Sequence, residues 1–151
     1  MRDILYLEDL KPGQRFKTAS HPLSEDEIKA FARDYDPQVF HTDPEAAKHS
    51  FFGGLAASGW HTAAITMRLQ VDSGPQLAGG MIGAKVELSW PRPTRPGDVL
   101  HVESEILAVT ASRSKPDRGF ATLKSQTLNQ KGEVVQVLTS KMLVWRKPLE
   151  P

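Results

Sequence analysis

Apolar residues recur at helical spacing in the first half of the chain and alternate with polar residues in the second half. The first helical stripe contains four apolar side chains on one predicted face: Ile28, Phe31, Ala32 and Tyr35. Ser24 and Glu27 form a capping box, which predicts where this helix starts. Because a proline disfavours helical geometry in the residue before it, we expect the helix to end at Asp36, which precedes Pro37.

A longer apolar helix follows, and its apolar residues form a second stripe: Trp60, Ala63, Ala64, Met67 and Val71. Arg68 is the only formal charge between residues 60 and 71, so we expect this helix to be buried on most sides. A Ser-Gly-Pro sequence at 73–75 ends it. A shorter helix is predicted from residue 44 to about residue 49, with Asp43 as its N-cap.

The second half of the chain has the period of β-strands. Three apolar residues alternate with three polar ones: Val86, Leu88 and Trp90 with Lys85, Glu87 and Ser89. Further strand-like segments occupy approximately residues 98–109, 119–128 and 133–145, and a short entry strand passes through Phe16. Helices followed by antiparallel strands predict an α+β fold, with a long central helix wrapped by an antiparallel sheet of about five strands.

Composition narrows the class of protein. At 151 residues with 39% hydrophobic content, the chain suits a single globular domain covering residues 1–151. Its 19 basic residues are interleaved with 18 acidic ones, which argues against a nucleic-acid partner. The absence of cysteine excludes a disulfide scaffold, a thiolate zinc site and a cysteine nucleophile. No apolar stretch approaches the roughly 20 residues of a membrane helix, so we expect a cytoplasmic protein without membrane contact.

Asp36 and His41 are the strongest candidates for chemistry. They lie five positions apart in a loop broken by Pro37, just beyond the end of the first helix. A carboxylate and an imidazole can share the proton transfers of general acid–base catalysis. Either residue alone also fits an ordinary turn former or a solvated histidine.

The start of the long helix supplies a second candidate group. Gly59 lies at the helix N-terminus, where backbone N–H groups lack intrahelical partners and the helix dipole adds positive potential. Its N–H could therefore stabilise negative charge on an oxygen, and the missing side chain allows a ligand to approach. Ser58 is a candidate N-cap close to such a ligand.

Two further polar residues are candidate supporting groups. Asp43 fits a helix N-cap better than a reacting group, and His61 fits a hydrogen-bonded core histidine better than a second base. A metal site formed by these two residues with His41 lacks any known zinc spacing, so no metal is expected.

The segments ARDYDPQVFHTDPEAA and FFGGLAASGWHTAA together resemble the MaoC-like branch of the hot-dog fold, which includes R-specific enoyl-CoA hydratases and related dehydratases. The hydratase motif of that family is approximately D-x-N-P-x-H-x-D. Asp36 and His41 keep its spacing and Asp43 occupies the later acidic position, while Gln38 stands where the family often has asparagine. WPRPTRPGDVL resembles the proline-containing connection of the family, so the likeness covers nearly the whole chain.

The resemblance implies a hydro-lyase that adds or removes water at C2–C3 of an enoyl-CoA in fatty acid metabolism, with R stereospecificity. Asp36 and His41 would hold the water, and the Gly59 N–H would bind the thioester oxygen. No cofactor is expected, because coenzyme A is part of the substrate. Arg92, Arg95 and Lys85 are candidates for contacts with its phosphates.

Two other functions remain open. Hot-dog proteins also include acyl-CoA thioesterases, many of which carry a carboxylate on or just before the central helix, whereas residues 51–71 contain no Asp or Glu. The second open function is that of a non-catalytic subunit, either acyl-CoA-binding or structural. In each case hot-dog domains of this size resemble units that pair edge to edge, so we expect a homodimer or a higher homo-oligomer.

Overall fold

The computed structural model describes residues 2–149 and contains four α-helices and eight strands within them. The helices are α1 (Glu25–Tyr35), α2 (Val39–Thr42), α3 (Pro44–Ala47) and α4 (Gly59–Ser73). The strands are β1 (Ile4–Leu5), β2 (Arg15–Lys17), β3 (His21–Pro22), β4 (Gln76–Leu77), β5 (Ile82–Ser89), β6 (Val99–Ala111), β7 (Arg118–Leu128) and β8 (Val134–Trp145). A 3₁₀ turn covers Leu7–Asp9.

The main sheet is antiparallel and has six strands. Its order is β2-β6-β7-β8-β5, and β3 also pairs with β6. The strands β1 and β4 form a separate parallel pair. The α+β prediction is confirmed, and the sheet exceeds the expected five strands because the β6 edge accommodates two short strands in succession.

Local sequence signals set the bounds of α1 as predicted. The Ser24 hydroxyl accepts a hydrogen bond from the Glu27 N–H at 3.1 Å, which completes the capping box. The Asp36 N–H donates to the Ala32 carbonyl at 2.8 Å in the last turn, and Pro37 stops the helix. Asp43 caps α3 by accepting from two first-turn N–H groups, so its prediction as an N-cap is confirmed.

The segment between Pro37 and Asp43 differs from the prediction. It was expected to be a loop, but it forms the one-turn helix α2, which carries His41. The physical reason is that Pro37 disfavours helical geometry in Asp36 but does not prevent it further along, and the chain resumes helical geometry at Val39. The His41 N–H then donates to the Gln38 carbonyl at 2.9 Å.

Helix α4 packs against the sheet through a mixed apolar and polar face. Its apolar contacts are Ile65 and Leu69, which share a core cluster with Leu100, Val102 and Val135. Three further buried residues of the helix are polar and lie one helical turn apart: Thr62, Thr66 and Gln70. They hydrogen-bond to one another or to polar groups of the sheet and of the connection before β6.

The prediction that α4 is buried on most sides is wrong. Trp60, Met67 and Val71 are 62%, 45% and 52% exposed. The sheet covers only one side of the helix, and the apolar stripe read from the sequence lies largely on the other side. The chain therefore presents an apolar helix face that no other part of residues 2–149 covers.

Candidate active site

The end of α1 and the short helix α2 bring Asp36 and His41 together. Asp36 is the C-cap of α1 and His41 lies in the single turn of α2. His41 Nε2 lies 3.3 Å from Asp36 Oδ2, with the two side chains 5% and 17% exposed. The proline that separates the two helices turns the chain sharply enough for this contact.

A backbone carbonyl fixes the orientation of the His41 ring. His41 Nδ1 lies 2.6 Å from the Ala56 carbonyl oxygen. Because a carbonyl can only accept, Nδ1 must carry the proton and donate, which directs Nε2 to Asp36. Phe40 makes an edge contact with the ring, and the tilted ring of Phe52 lies with its centroid 6.0 Å away. Sequence reasoning missed Ala56, because a backbone acceptor has no residue-type signature.

Gln38 orients the Asp36 carboxylate. Its Nε2 donates to Asp36 Oδ1 at 2.6 Å, which leaves Oδ2 facing His41. Burial opposes ionisation of Asp36, but the hydrogen bond from Gln38, the nearby Ser58 hydroxyl and the charge of His41 together lower its pKa below the ordinary value. From sequence, Gln38 was only a departure from the family motif, whereas in the structure it is part of the site.

Ser58 lies buried at the start of α4 without a complete hydrogen bond. It is the N-cap, but its hydroxyl accepts from no helical N–H, and it meets no partner at full hydrogen-bond geometry within residues 2–149. The Ser58 hydroxyl is also one of the groups that lower the pKa of Asp36. The prediction of Ser58 as an N-cap holds for its position but not for a capping hydrogen bond.

Gly59 begins α4 as predicted. The Gly59 and Trp60 N–H groups lack intrahelical acceptors because they lie in the first turn, and neither donates to another group of residues 2–149. The indole of Trp90 covers the Cα of Gly59 so closely that an added Cβ would lie 2.6 Å from Trp90 Cε2. The Trp90 Nε1–H donates to Gln136 Oε1 at 3.0 Å, which fixes the indole.

A pocket of about 560 Å³ joins these groups. Asp36 and His41 line it together with Gly59, and Asp36 is the only acidic residue of its lining among residues 2–149. Most of the remaining wall consists of aromatic, proline and threonine side chains: Phe51, Phe52, Trp60, Trp90, Pro91, Pro93, Thr62 and Thr94. The site thus combines an acid–base pair and unpaired N–H donors in a pocket with largely apolar walls.

The two candidate supporting residues do not line this pocket. Asp43 is occupied as the cap of α3. His61 is buried and stacked on Phe31 with ring centroids 4.5 Å apart, and burial lowers its pKa. Its Nδ1 has no partner in the described chain, so the expected hydrogen bond is missing there. Nowhere in residues 2–149 do three potential metal-ligating side chains come together.

The three basic residues considered for phosphate contacts lie in different environments. Arg92 is partly exposed and pairs with Glu133 at 3.1 Å, and Lys85 is exposed on β5. The Arg95 guanidinium instead turns inward and donates to backbone carbonyls of the segment before α4. The Arg95 guanidinium is therefore bound to backbone carbonyls, while the side chains of both Arg92 and Arg95 line the pocket. No helix in the described part of the chain has the length and apolarity to span a membrane.

Comparisons with known proteins match the chain to a family model and to a relative in another organism. A family model described as "MaoC like domain" matches residues 9–128. The uncharacterized protein YdeM of Bacillus subtilis is 36% identical over 128 residues, which span 83% of this chain and 88% of that protein.

Solved structures extend the likeness to the whole fold. The crystal structure of a MaoC-like dehydratase from Rhodospirillum rubrum is 64% identical and superposes with a TM-score of 0.94, over 96% of this chain and 99% of that chain. The (R)-hydratase from A. caviae involved in PHA biosynthesis is 26% identical with a TM-score of 0.67, over 93% of this chain and 99% of that chain.

Proposed function

Because the chain belongs to the MaoC-like domain family and has its hot-dog fold, we propose that it hydrates an enoyl-CoA at C2–C3, or dehydrates the 3-hydroxyacyl-CoA in reverse. The membership and fold agree with the resemblance seen in the sequence. The observation that carries the proposal is the contact of Asp36 Oδ2 with His41 Nε2 at 3.3 Å, beside the unpaired N-terminus of α4.

The protonation pattern of the pair suits the activation of water. With Nδ1 donating to Ala56, His41 can accept a proton at Nε2, and the ionised Asp36 can accept one at Oδ2. A water beside both atoms can donate one hydrogen to each acceptor and direct a lone pair at C3. The C–O bond forms as one member of the pair takes the water proton, and a proton delivered by the pair completes the product at C2.

The N-terminus of α4 suits the charge that develops during this reaction. As the nucleophile attacks C3, the C2–C3 π electrons move towards the thioester carbonyl, whose oxygen gains negative charge. The Gly59 N–H would donate to this oxygen, and in a dry site such a donor contributes roughly 3 to 4 kcal/mol. The reaction requires no redox step, so we propose that it proceeds without a cofactor.

We extend the proposal to R stereospecificity. It rests on the likeness to the A. caviae (R)-hydratase, whose identity of 26% extends over 99% of that chain. Chiral analysis of the 3-hydroxyacyl-CoA formed from a trans-2-enoyl-CoA tests this part separately. An S or racemic product would contradict it while leaving hydration itself in place.

The test of the proposed site is hydration of crotonyl-CoA and longer enoyl-CoAs, followed by loss of absorbance of the conjugated thioester. Asp36→Asn and His41→Ala should each lower kcat by about 10² to 10⁴-fold, because each removes a group that transfers a proton. Asp34→Asn and His49→Ala alter an exposed carboxylate and an exposed imidazole nearby, and should retain wild-type rates.

Two results would contradict the proposal. If Asp36→Asn and His41→Ala both hydrate the substrate at the wild-type rate, these two residues do not form the catalytic site. Release of free coenzyme A from saturated acyl-CoAs by the wild type, without hydration, would instead identify a thioesterase.

We also propose that the protein forms a homodimer through β5 and the outer side of α4. The strand β5 ends the main sheet and pairs only with β8 among the described strands. Val86 on β5 is 54% exposed, and Met67 on α4 is 45% exposed. The ring of Trp60 on α4 lies 5.7 Å from that of Trp90, the residue that follows β5, and both rings line the pocket.

A further inference from the structure

Arg95 connects two segments that both border the candidate site. It lies in the proline-containing connection between β5 and β6. One of its nitrogens, Nη1, donates to the carbonyls of Gly54 and Leu55 at 3.0 and 3.2 Å, and Nη2 donates to the carbonyl of Phe52. A single guanidinium therefore binds three of the four carbonyls of the 52–55 backbone.

The same backbone segment leads directly into the acceptor that orients His41. Ala56 follows Leu55, and its carbonyl receives the Nδ1–H of His41. The Ala56 N–H donates back to the Phe40 carbonyl at 3.1 Å, and the Ala57 N–H donates to the Thr94 carbonyl, next to Arg95, at 2.9 Å. Displacement of residues 52–55 would therefore move the acceptor on which the His41 tautomer depends.

Hydrogen bonds also fix the backbone of Arg95. Its backbone N–H donates to Asp98 Oδ2 at 2.8 Å, and Gln130 Nε2 donates to Asp98 Oδ1 at 3.1 Å. Asp98 is buried and its N–H returns a hydrogen bond to the Arg95 carbonyl. The arginine is thus a preorganised fork on a fixed turn, which is a geometry suited to binding several carbonyls.

We infer that Arg95 is a positioning residue that acts through the 52–56 backbone to hold His41 in the Nδ1–H tautomer. The inference rests on the proposed function for its kinetic part, but the state of the His41 ring can be measured without any substrate. It also differs from the phosphate contact considered from the sequence, because the guanidinium donates to three backbone carbonyls, although the side chain lines the pocket.

The experiment compares Arg95→Met and Arg95→Lys with the wild type in kinetics and in ¹⁵N NMR of the imidazole nitrogens. The His41 signals are assigned by their loss in His41→Gln. We expect the wild type to show the Nδ1–H tautomer, and both variants to show a mixture. Lysine keeps the charge but lacks the planar fork, so it should not restore the wild-type spectrum.

The kinetic expectation is a fall in kcat of about 10 to 100-fold for both variants, with the KM for enoyl-CoA changed by less than about threefold. Millimolar guanidinium should recover part of the rate of Arg95→Met, whereas urea at the same concentration should not. Arg15→Met is the matched control, because it removes an exposed arginine that pairs with Glu105 away from the pocket.

Each outcome decides the inference. A higher KM at unchanged kcat, restored by Arg95→Lys, would identify a phosphate contact and overturn it. A lower melting temperature with unaltered kcat and an unaltered His41 spectrum would show a merely structural role and would also overturn it. If the wild type fails to hydrate any enoyl-CoA, the proposed function fails, while a tautomer mixture in the Arg95 variants still supports the positioning role.

Discussion

At the residue scale, the pKa of Asp36 is the property most directly open to test. Its carboxyl must be ionised to accept a proton, and Gln38 helps to keep the pKa below the ordinary 3.8. The contribution of Asp36 to the acid limb of activity should therefore lie below the ordinary carboxyl pKa. The stability that ionised Asp36 contributes is likewise present above the unfolded pKa and is lost as pH falls through the folded pKa.

Gln38→Ala removes one of the groups that lower this pKa, so the acid limb of kcat/KM should move to higher pH. The limb is measured in the wild type, in Gln38→Ala and in Gln76→Ala, a control at an exposed glutamine of β4. If the acid limb of Gln38→Ala lies at the same pH as that of the wild type, the Gln38 amide does not lower the pKa of Asp36. Titration of the Asp36 carboxyl by ¹³C NMR gives the same quantity without turnover.

Gly59 is the other residue whose environment permits a sharp prediction. A Cβ at this position would overlap the Trp90 indole, so Gly59→Ala must displace either the helix start or the tryptophan. A displacement near 1 Å should lower kcat/KM by about 10²-fold. The double variant Gly59→Ala/Trp90→Ala removes the overlap and should recover part of that loss relative to Gly59→Ala. Equal rates for the single variant and the wild type would contradict the close approach.

At the scale of elements, α4 depends on its buried polar contacts with the sheet. The Thr66 hydroxyl donates to the Thr62 carbonyl and accepts from Gln136 Nε2 at 3.1 Å. It also forms a hydrogen bond of 2.6 Å with the Thr127 hydroxyl. Thr66→Val has nearly the same shape but leaves the groups on β7 and β8 without their partner. We expect the free energy of unfolding to fall by about 2 kcal/mol, because each buried unsatisfied group costs about 1 to 3 kcal/mol.

Urea denaturation measures this loss, with Thr122→Val as the control. Thr122 is a half-buried residue of β7 whose hydroxyl makes no side-chain hydrogen bond within residues 2–149, so its change should stay within about 0.5 kcal/mol. Equal stability of the two variants would mean that the polar contacts are replaceable. Gln136 also holds the Trp90 indole, so Thr66→Val should lower activity together with stability.

At the scale of the whole molecule, the proposed dimer explains why apolar residues of β5 and α4 remain exposed. Val86→Glu and Met67→Glu place a charge on this surface and should shift the protein from dimer to monomer, because burying an unpaired charge is strongly unfavourable. Sedimentation velocity at micromolar concentration measures the change. Leu107→Glu is the control, since Leu107 on β6 is 42% exposed outside β5 and α4. A monomeric wild type, or a dimer unaffected by both changes, would contradict the proposal.

The sequence by itself determined the features that depend on near neighbours. The capping box of α1, the stop at Pro37, the cap of α3 and the bounds of α4 follow from residues within a few positions of each other. The α+β class and the spacing of Asp36 and His41 are likewise properties of local sequence, as is the resemblance to the family.

Only the tertiary structure decided the relations between distant segments. The Ala56 carbonyl on His41 and the Arg95 fork on residues 52–55 use backbone acceptors, which are the same for every residue type and leave no mark in the sequence. The exposed side of α4 could not be read from its apolar stripe, since apolarity predicts burial but does not say whether the sheet or another chain supplies it. Local patterns thus located the candidate pair, and packing fixed how its two side chains face each other.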